Sequence, residues 1–208
     1  MEMPKSREMT EIRLDGGKLC LDFTNTIHDR SSPQPEDYLC DIEDLLDWLA
    51  LTKAVPREVV EHMRRSAVSN PQHAGQVFKA AIEFREVLYR VFSSIAGGAK
   101  IRAKDLLALN RHLGETMGNI RLKQEGKTIL STWDYREGGL EKVLWQVTKS
   151  AMDLLLEGNL DRIKRCPRCL WLFNDTSKNG RRRWCSMETC GSIDKSLRYY
   201  YRQKSQQG

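Results

Sequence analysis

No apolar run approaches the roughly 18 residues needed to cross a bilayer, and Met1-Glu2-Met3-Pro4-Lys5 lacks the apolar core of a secretory signal. A cytoplasmic chain without membrane contact is therefore the expectation. There is no Gly-rich phosphate loop, no His-Glu-x-x-His and no nucleophile elbow, so a non-enzymatic role is expected. Histidine is scarce: His28, His62, His73 and His112 are the four present. The His28-Asp29 pair has the residue types for acid–base work but reads as an ordinary loop pair. No internal repeat and no heptad seam is visible. What is present, 40% hydrophobic and 30% charged residues in 208, suits one ordinary domain plus a small second module.

The charge is unevenly placed. The chain carries a net +6, yet segment 161–208 alone holds twelve basic residues against four acidic ones, which leaves residues 1–160 slightly negative. A near-neutral body with a strongly basic end is the asymmetry expected when that end meets a polyanion.

Four of the six cysteines fall in the same segment, as Cys166-Pro-Arg-Cys169 and, after fifteen intervening residues, Cys185-Ser-Met-Glu-Thr-Cys190. Two short pairs separated by a long loop can aim four thiolates at one tetrahedral ion. One structural zinc is the expected occupant; an iron–sulfur cluster or a redox dithiol is the alternative. With no histidine nearby the site should be closed and inert. Four thiolates on one zinc carry a formal −2, so Arg165 and Arg168 are candidates for balancing that charge. Cys20 and Cys40 read as small buried hydrophobes.

Residues 1–160 read as mainly helical. Alternation around Asp15-Gly16-Gly17 predicts a hairpin, with Leu19, Leu21 and Phe23 buried. Helical spacing follows over 36–52, from Pro56 to about Ser66, from Asn70-Pro71 to Gly97-Gly98, and over 103–114. A hairpin is predicted over 120–133 and a last helix from Leu140 to Gly158-Asn159. Trp48, Trp133 and Trp145 are candidates for a ligand pocket, with core packing the default. In the basic end, Leu170–Phe173 and Arg181–Trp184 are predicted to pair across a turn. A helix from Ile193 or Asp194 to Gln203 follows, with Ser192 as its cap. The predicted class is thus mainly α with small antiparallel hairpins: a helical domain over 1–160 and a treble-clef-like zinc module over 161–208. On the last helix Lys195, Arg198 and Arg202 share one side with Tyr199 beside them, and Arg181, Arg182 and Arg183 precede it.

The string Cys166-Pro-x-Cys169, Phe173-x-Asp175-x-Ser177-x-Asn179, Arg182-Arg183-Trp184-Cys185-Ser186-Met187-x-x-Cys190-Gly191 resembles the CGNR zinc finger. Leu19-Cys-Leu-Asp22-Phe-x-Asn25-Thr26 is similar to the opening of the ABATE domain that normally precedes it. The resemblance implies a bacterial transcription regulator, with zinc held by Cys166, Cys169, Cys185 and Cys190 and double-stranded DNA bound by the finger. Gly191-Ser192-Ile193 stands where that family has Gly-Asn-Arg, and isoleucine cannot replace arginine at a phosphate or a base edge. The expected function is zinc-dependent DNA binding, with the amino-terminal domain sensing a small effector or forming a homodimer. The alternative is a zinc-stabilised RNA- or protein-binding adaptor.

Overall fold

The longest element starts where Asn70 accepts a hydrogen bond from the His73 N–H and Pro71 presets the first turn. In the computed structural model, which describes residues 9–135 and 139–205, this helix is the axis of the body. Residues 1–5 and the polar end beyond 205 lie outside the described residues. The helices are α1 (Leu19–Thr24), α2 (Ile42–Thr52), α3 (Arg57–Ser69), α4 (Pro71–Ala96), α5 (Ala103–Met117), α6 (Trp145–Leu156) and α7 (Ser192–Ser205). Two small antiparallel sheets pair β1 (Ile120–Glu125) with β2 (Thr128–Trp133), and β3 (Ile163–Arg165) with β4 (Leu172–Asn174).

The helices follow from their caps and apolar faces. Asp41 accepts from the Asp44 N–H while the Asp44 carboxylate takes the Cys40 N–H, a reciprocal cap that starts α2. Lys53, at φ 53°, ends it in the left-handed region. One face of α4 buries Ala81, Phe84, Leu88, Val91 and Phe92, and α1, α2, α3 and α5 pack around it. Trp48 is fully buried against Phe23, so it is core and lines no ligand pocket. Arg85, almost wholly buried, makes two hydrogen bonds to the Asp37 carboxylate at 2.7 and 2.8 Å. A third, to the Thr26 hydroxyl, helps pin the loop between α1 and α2.

Two sequence expectations are corrected. Residues 19–23 are helical rather than the second strand of a hairpin. Cys20, Leu21, Asp22, Phe23 and Thr24 are all buried, because α1 is enclosed by α4, α6 and β4. When every side is covered, apolar spacing carries no period to read. Gly16-Gly17 instead folds the chain onto α1: the Gly16 N–H donates to the Asp22 carboxylate at 2.7 Å, and a side chain at Gly16 would meet the Asp22 backbone at 2.8 Å. The second correction concerns Arg181–Trp184, which is not a strand. β4 pairs with β3, the segment before the first cysteine pair. The hairpin of β1 and β2 forms as expected, turning at Gly126 with φ 61°, and exposes every side chain of β2 except Trp133.

Asp22 gives the fold a pH dependence. Burial pushes its carboxyl up to about 7, against the Gly16 hydrogen bond and reinforced by nearby Asp15. The folded chain therefore keeps a proton that the unfolded chain releases near pH 4. Stability from this group is complete below about pH 4 and falls by about 1.4 kcal/mol per unit as pH rises towards 7. Asp22→Asn keeps an acceptor for Gly16 and cannot ionise. Its advantage over the parent in denaturant melts should be about 2 kcal/mol larger at pH 7.5 than at pH 5.5. An advantage independent of pH would contradict this reading.

Candidate metal centre and basic surface

Each cysteine pair is held by its own backbone. In the first, Cys166 N–H donates to Trp171 O at 2.8 Å and Leu170 N–H to Cys166 O at 3.0 Å. Leu170 sits at φ 61°, a costly conformation for a branched residue, and its carbonyl accepts the Tyr89 hydroxyl at 3.1 Å. In the second, Ser186 caps a single π-type turn, Met187–Gly191, that runs straight into α7. Gly191 is buried in this turn with the Met187 thioether packed over it: a side chain there would meet the Met187 sulfur at 2.9 Å and displace it.

The four sulfurs lie within 4.8 Å of one another and all four cysteines are buried. Cys169 Sγ stands 3.5 Å from Cys185 Sγ, which is 3.7 Å from Cys190 Sγ. A tetrahedral zinc with bonds of about 2.3 Å holds its sulfurs about 3.8 Å apart, so the donor set fits the ion. No histidine or carboxylate joins the cluster among the described residues, so the first shell is closed. The four cysteines thus form the site of one structural zinc. Hydrogen bonding from Cys169, Cys185 and Cys190 pulls the Cys166 thiol down, while bonding to Cys166 pushes Cys169 and Cys185 up. A bound cation is what deprotonates all four together.

Around the metal centre, residues far apart in sequence meet. The Asn25 carboxamide accepts the Leu172 N–H at 3.0 Å and donates to the Leu172 carbonyl at 2.8 Å, copying a strand pairing with one buried side chain. Trp171 Nε1 donates to Ile27 O at 2.6 Å, and Asn174 N–H to Gly16 O at 2.8 Å. Arg30 N–H donates to Cys169 O at 3.1 Å, and Arg13 to the Ser186 hydroxyl at 2.8 Å. Ile163 and Leu172 belong to the same apolar core as α1 and α4, whereas Trp171 and Phe173 pack with the cysteines. The Asp175 carboxylate, with no exposed surface, accepts from Ser177 N–H, Ser177 hydroxyl, Arg182 N–H and Lys164 Nζ. Burial alone would raise this carboxyl, but the bonds from Ser177 and Lys164 hold it well below the usual range. It therefore stays ionised and shapes the loop that presents Arg181–Arg183.

The basic residues sort by what they touch. Arg181 and Arg183 are exposed. Arg182 is half-buried, its guanidinium 4.7 Å from the Phe173 ring and its Nε 2.9 Å from Trp184 O, so it props the loop. Arg183 and Arg198 both lie over the Trp184 ring, at 5.1 and 5.7 Å. That ring joins the loop to α7. Arg198 is paired with Asp194, while Lys195 and Arg202 are exposed and have no ion pair among the described residues. Lys164, Arg165 and Arg181–Arg183 line a groove of about 620 Å³ in which Asp161 is the one acid. Arg165 donates to the Ser93 hydroxyl of α4 at 2.8 Å, and Arg168 lines a cleft with Cys169, Cys185 and Cys190. His28 lies in that cleft with Tyr38 Oη 3.2 Å from its Nδ1.

Ser192 is not a cap. It lies inside the continuous helix, its hydroxyl bonded back to Glu188 O and Thr189 O, and Ser186 does the capping. Sequence reading also assigned no role to Asn25, Asp175 or Trp184. The signal available was polarity: Asn25 closes an apolar string, and Asp175-x-Ser177 has the spacing of a side-chain-capped turn.

No helix of the described residues is long and apolar enough to cross a membrane. No curated protein matches the chain. Two family models do: ABATE, described as "Putative stress-induced transcription regulator", over residues 17–158, and the CGNR zinc finger over residues 162–203. Asn25, from the opening of the first, grips Leu172 inside the second. The chain belongs to the ABATE family and ends in a CGNR zinc finger.

Proposed function

We propose that this protein is a cytoplasmic bacterial transcription regulator, without catalytic activity, whose zinc module binds duplex DNA while its helical body senses an effector or dimerises. The observation that carries the reading is the gathering of Arg183 and Arg198 on one tryptophan ring, which makes the basic loop and the basic side of α7 one surface. Arg181, Arg183 and the residues of the groove are the candidates for the phosphate backbone. Lys195, Arg198 and Arg202 are the candidates for a groove of the duplex. Arg182 supports the surface from below.

The test is fluorescence anisotropy of a labelled 30-base-pair duplex, titrated over a range of salt. Affinity should fall steeply with salt, and Arg183→Ala, Arg198→Ala and Arg202→Ala should each flatten the logarithmic slope by about 0.9. Variants that keep their zinc, their affinity and their slope would remove these residues from the interface.

A second reading is favoured by α7 itself. The helix buries no residue, and Ile193, Leu197, Tyr200 and Tyr201 form an exposed apolar arc facing away from Lys195, Arg198 and Arg202. A protein partner, or a second copy of this chain, suits such an arc. RNA in place of duplex would show as tighter binding of a single-stranded or hairpin competitor in the same titration.

A further inference from the structure

A cavity of about 520 Å³ lies between the start of α1, the end of β2 and α6. Its volume falls in the range of small-molecule sites. One wall is aromatic: Trp133 and Tyr135 line it, and both pack on Trp145, at ring distances of 5.3 and 6.0 Å. The rings are tilted, by 39° and 34° to that of Trp145, and their mutual packing braces them.

Tyr135 and Lys18 supply the donors beside that wall. Gln146 Nε2 donates to Tyr135 Oη at 3.3 Å, which leaves the tyrosine hydrogen for another acceptor. Burial pushes the Tyr135 hydroxyl up to about 12, against the Gln146 hydrogen bond, so that hydrogen is retained at neutral pH. Ser150 Oγ accepts the Cys20 N–H at 3.1 Å and is also hydrogen-bonded to the Cys20 thiol, so it is occupied by α1 and not left for a ligand. Lys149 and Asp153 neutralise each other at 2.7 Å. Lys18, exposed and without an ion pair among the described residues, is left as the net charge of the site.

An aromatic wall, the spare tyrosine hydroxyl donor and one surplus cation suit an acceptor-bearing anion that carries an aromatic ring. We propose that this cavity binds a small aromatic carboxylate or a similar aromatic anion. The inference deepens the sensing half of the proposed function and rests on it for its consequence: Leu19 lines the cavity, and Asn25, one residue beyond the same short helix, holds Leu172 of the zinc module.

Calorimetric titration of the full chain in its zinc form with 2-naphthoate tests it. Saturable binding is expected, at least about tenfold tighter than that of uncharged 2-naphthalenemethanol or of non-planar cyclohexanecarboxylate. Tyr135→Phe keeps the ring and removes the donor, and Lys18→Ala removes an exposed charge. Each should weaken 2-naphthoate about tenfold while melting temperature is unchanged, and Leu107→Ala, at a distant exposed residue, should weaken it not at all. Equal binding of the three probes, no saturable binding, or indifference to both cavity substitutions would overturn the site. The titration contains no DNA, so failure of duplex binding leaves its result standing. Intact duplex binding with no 2-naphthoate response removes this site and leaves the DNA reading in place.

Discussion

Replacing Cys185 with serine is expected to abolish zinc uptake and to lower the melting temperature of the whole chain, not only of its last forty or so residues. The first half follows from the donor set: with three sulfurs left, the closed tetrahedral site is lost. Structural zinc supplies apparent binding free energy of about 10–16 kcal/mol to small modules, comparable with the whole stability of a domain at about 5–15 kcal/mol. The second half follows from the packing. Leu172 is fully buried and Ile163 nearly so, in the same core as Leu21, Phe84 and Leu88, although they flank the first cysteine pair. Losing the order of such a leucine costs about 2–5 kcal/mol. Far-ultraviolet dichroism, dominated by the helices of the body, is the melting readout, together with metal content by mass spectrometry. A variant that keeps one zinc per chain would remove Cys185 from the site. A zinc-free variant in which the helical signal melts at the parent temperature would show that module and body are energetically separate. Chelation of the parent protein should reproduce the variant.

Asn25→Ala is expected to be the most damaging single change outside the metal ligands. It leaves the Leu172 N–H and carbonyl without their partner in a fully buried place, at about 1–3 kcal/mol for each group. For a chain of this size that corresponds to a fall in melting temperature of roughly 5–15 °C. Asn25→Asp should not rescue it, since aspartate cannot donate to the carbonyl and brings an unpaired charge into the seam. The effect should also reach the metal: zinc should pass to a chelating dye faster from the Asn25 variants than from the parent. A melting temperature within about 2 °C of the parent would mean that the two hydrogen bonds contribute nothing net.

Both predictions concern the seam between body and zinc module, which the sequence describes poorly. The helices were legible because each carries its own evidence, such as Asn70-Pro71 before an apolar stripe, although α2 was expected from residue 36 and starts at Ile42, where Asp41 caps it. The metal site was legible for the same reason, since four cysteines in two close pairs have the spacing of tetrahedral metal ligands. α1 was misread because its surroundings, not its residues, make it uniformly buried. The hairpin expected from Arg181–Trp184 was misread because β4 found a better partner in β3, across the first cysteine pair. That choice leaves Arg181–Arg183 free of strand pairing, their loop shaped by Asp175 instead.

Local spacing by itself determined the amphipathic helices, the exposed hairpin, the thiolate quartet and the cationic end, because each depends on groups only a few residues apart along one element. Tertiary structure alone decided that α1 is a helix, that Asn25 grips a strand 147 positions away, and that Trp184 unites two sets of arginines. Such contacts form only when distant segments are brought together by burial of a shared core, and no pattern within either segment records its partner.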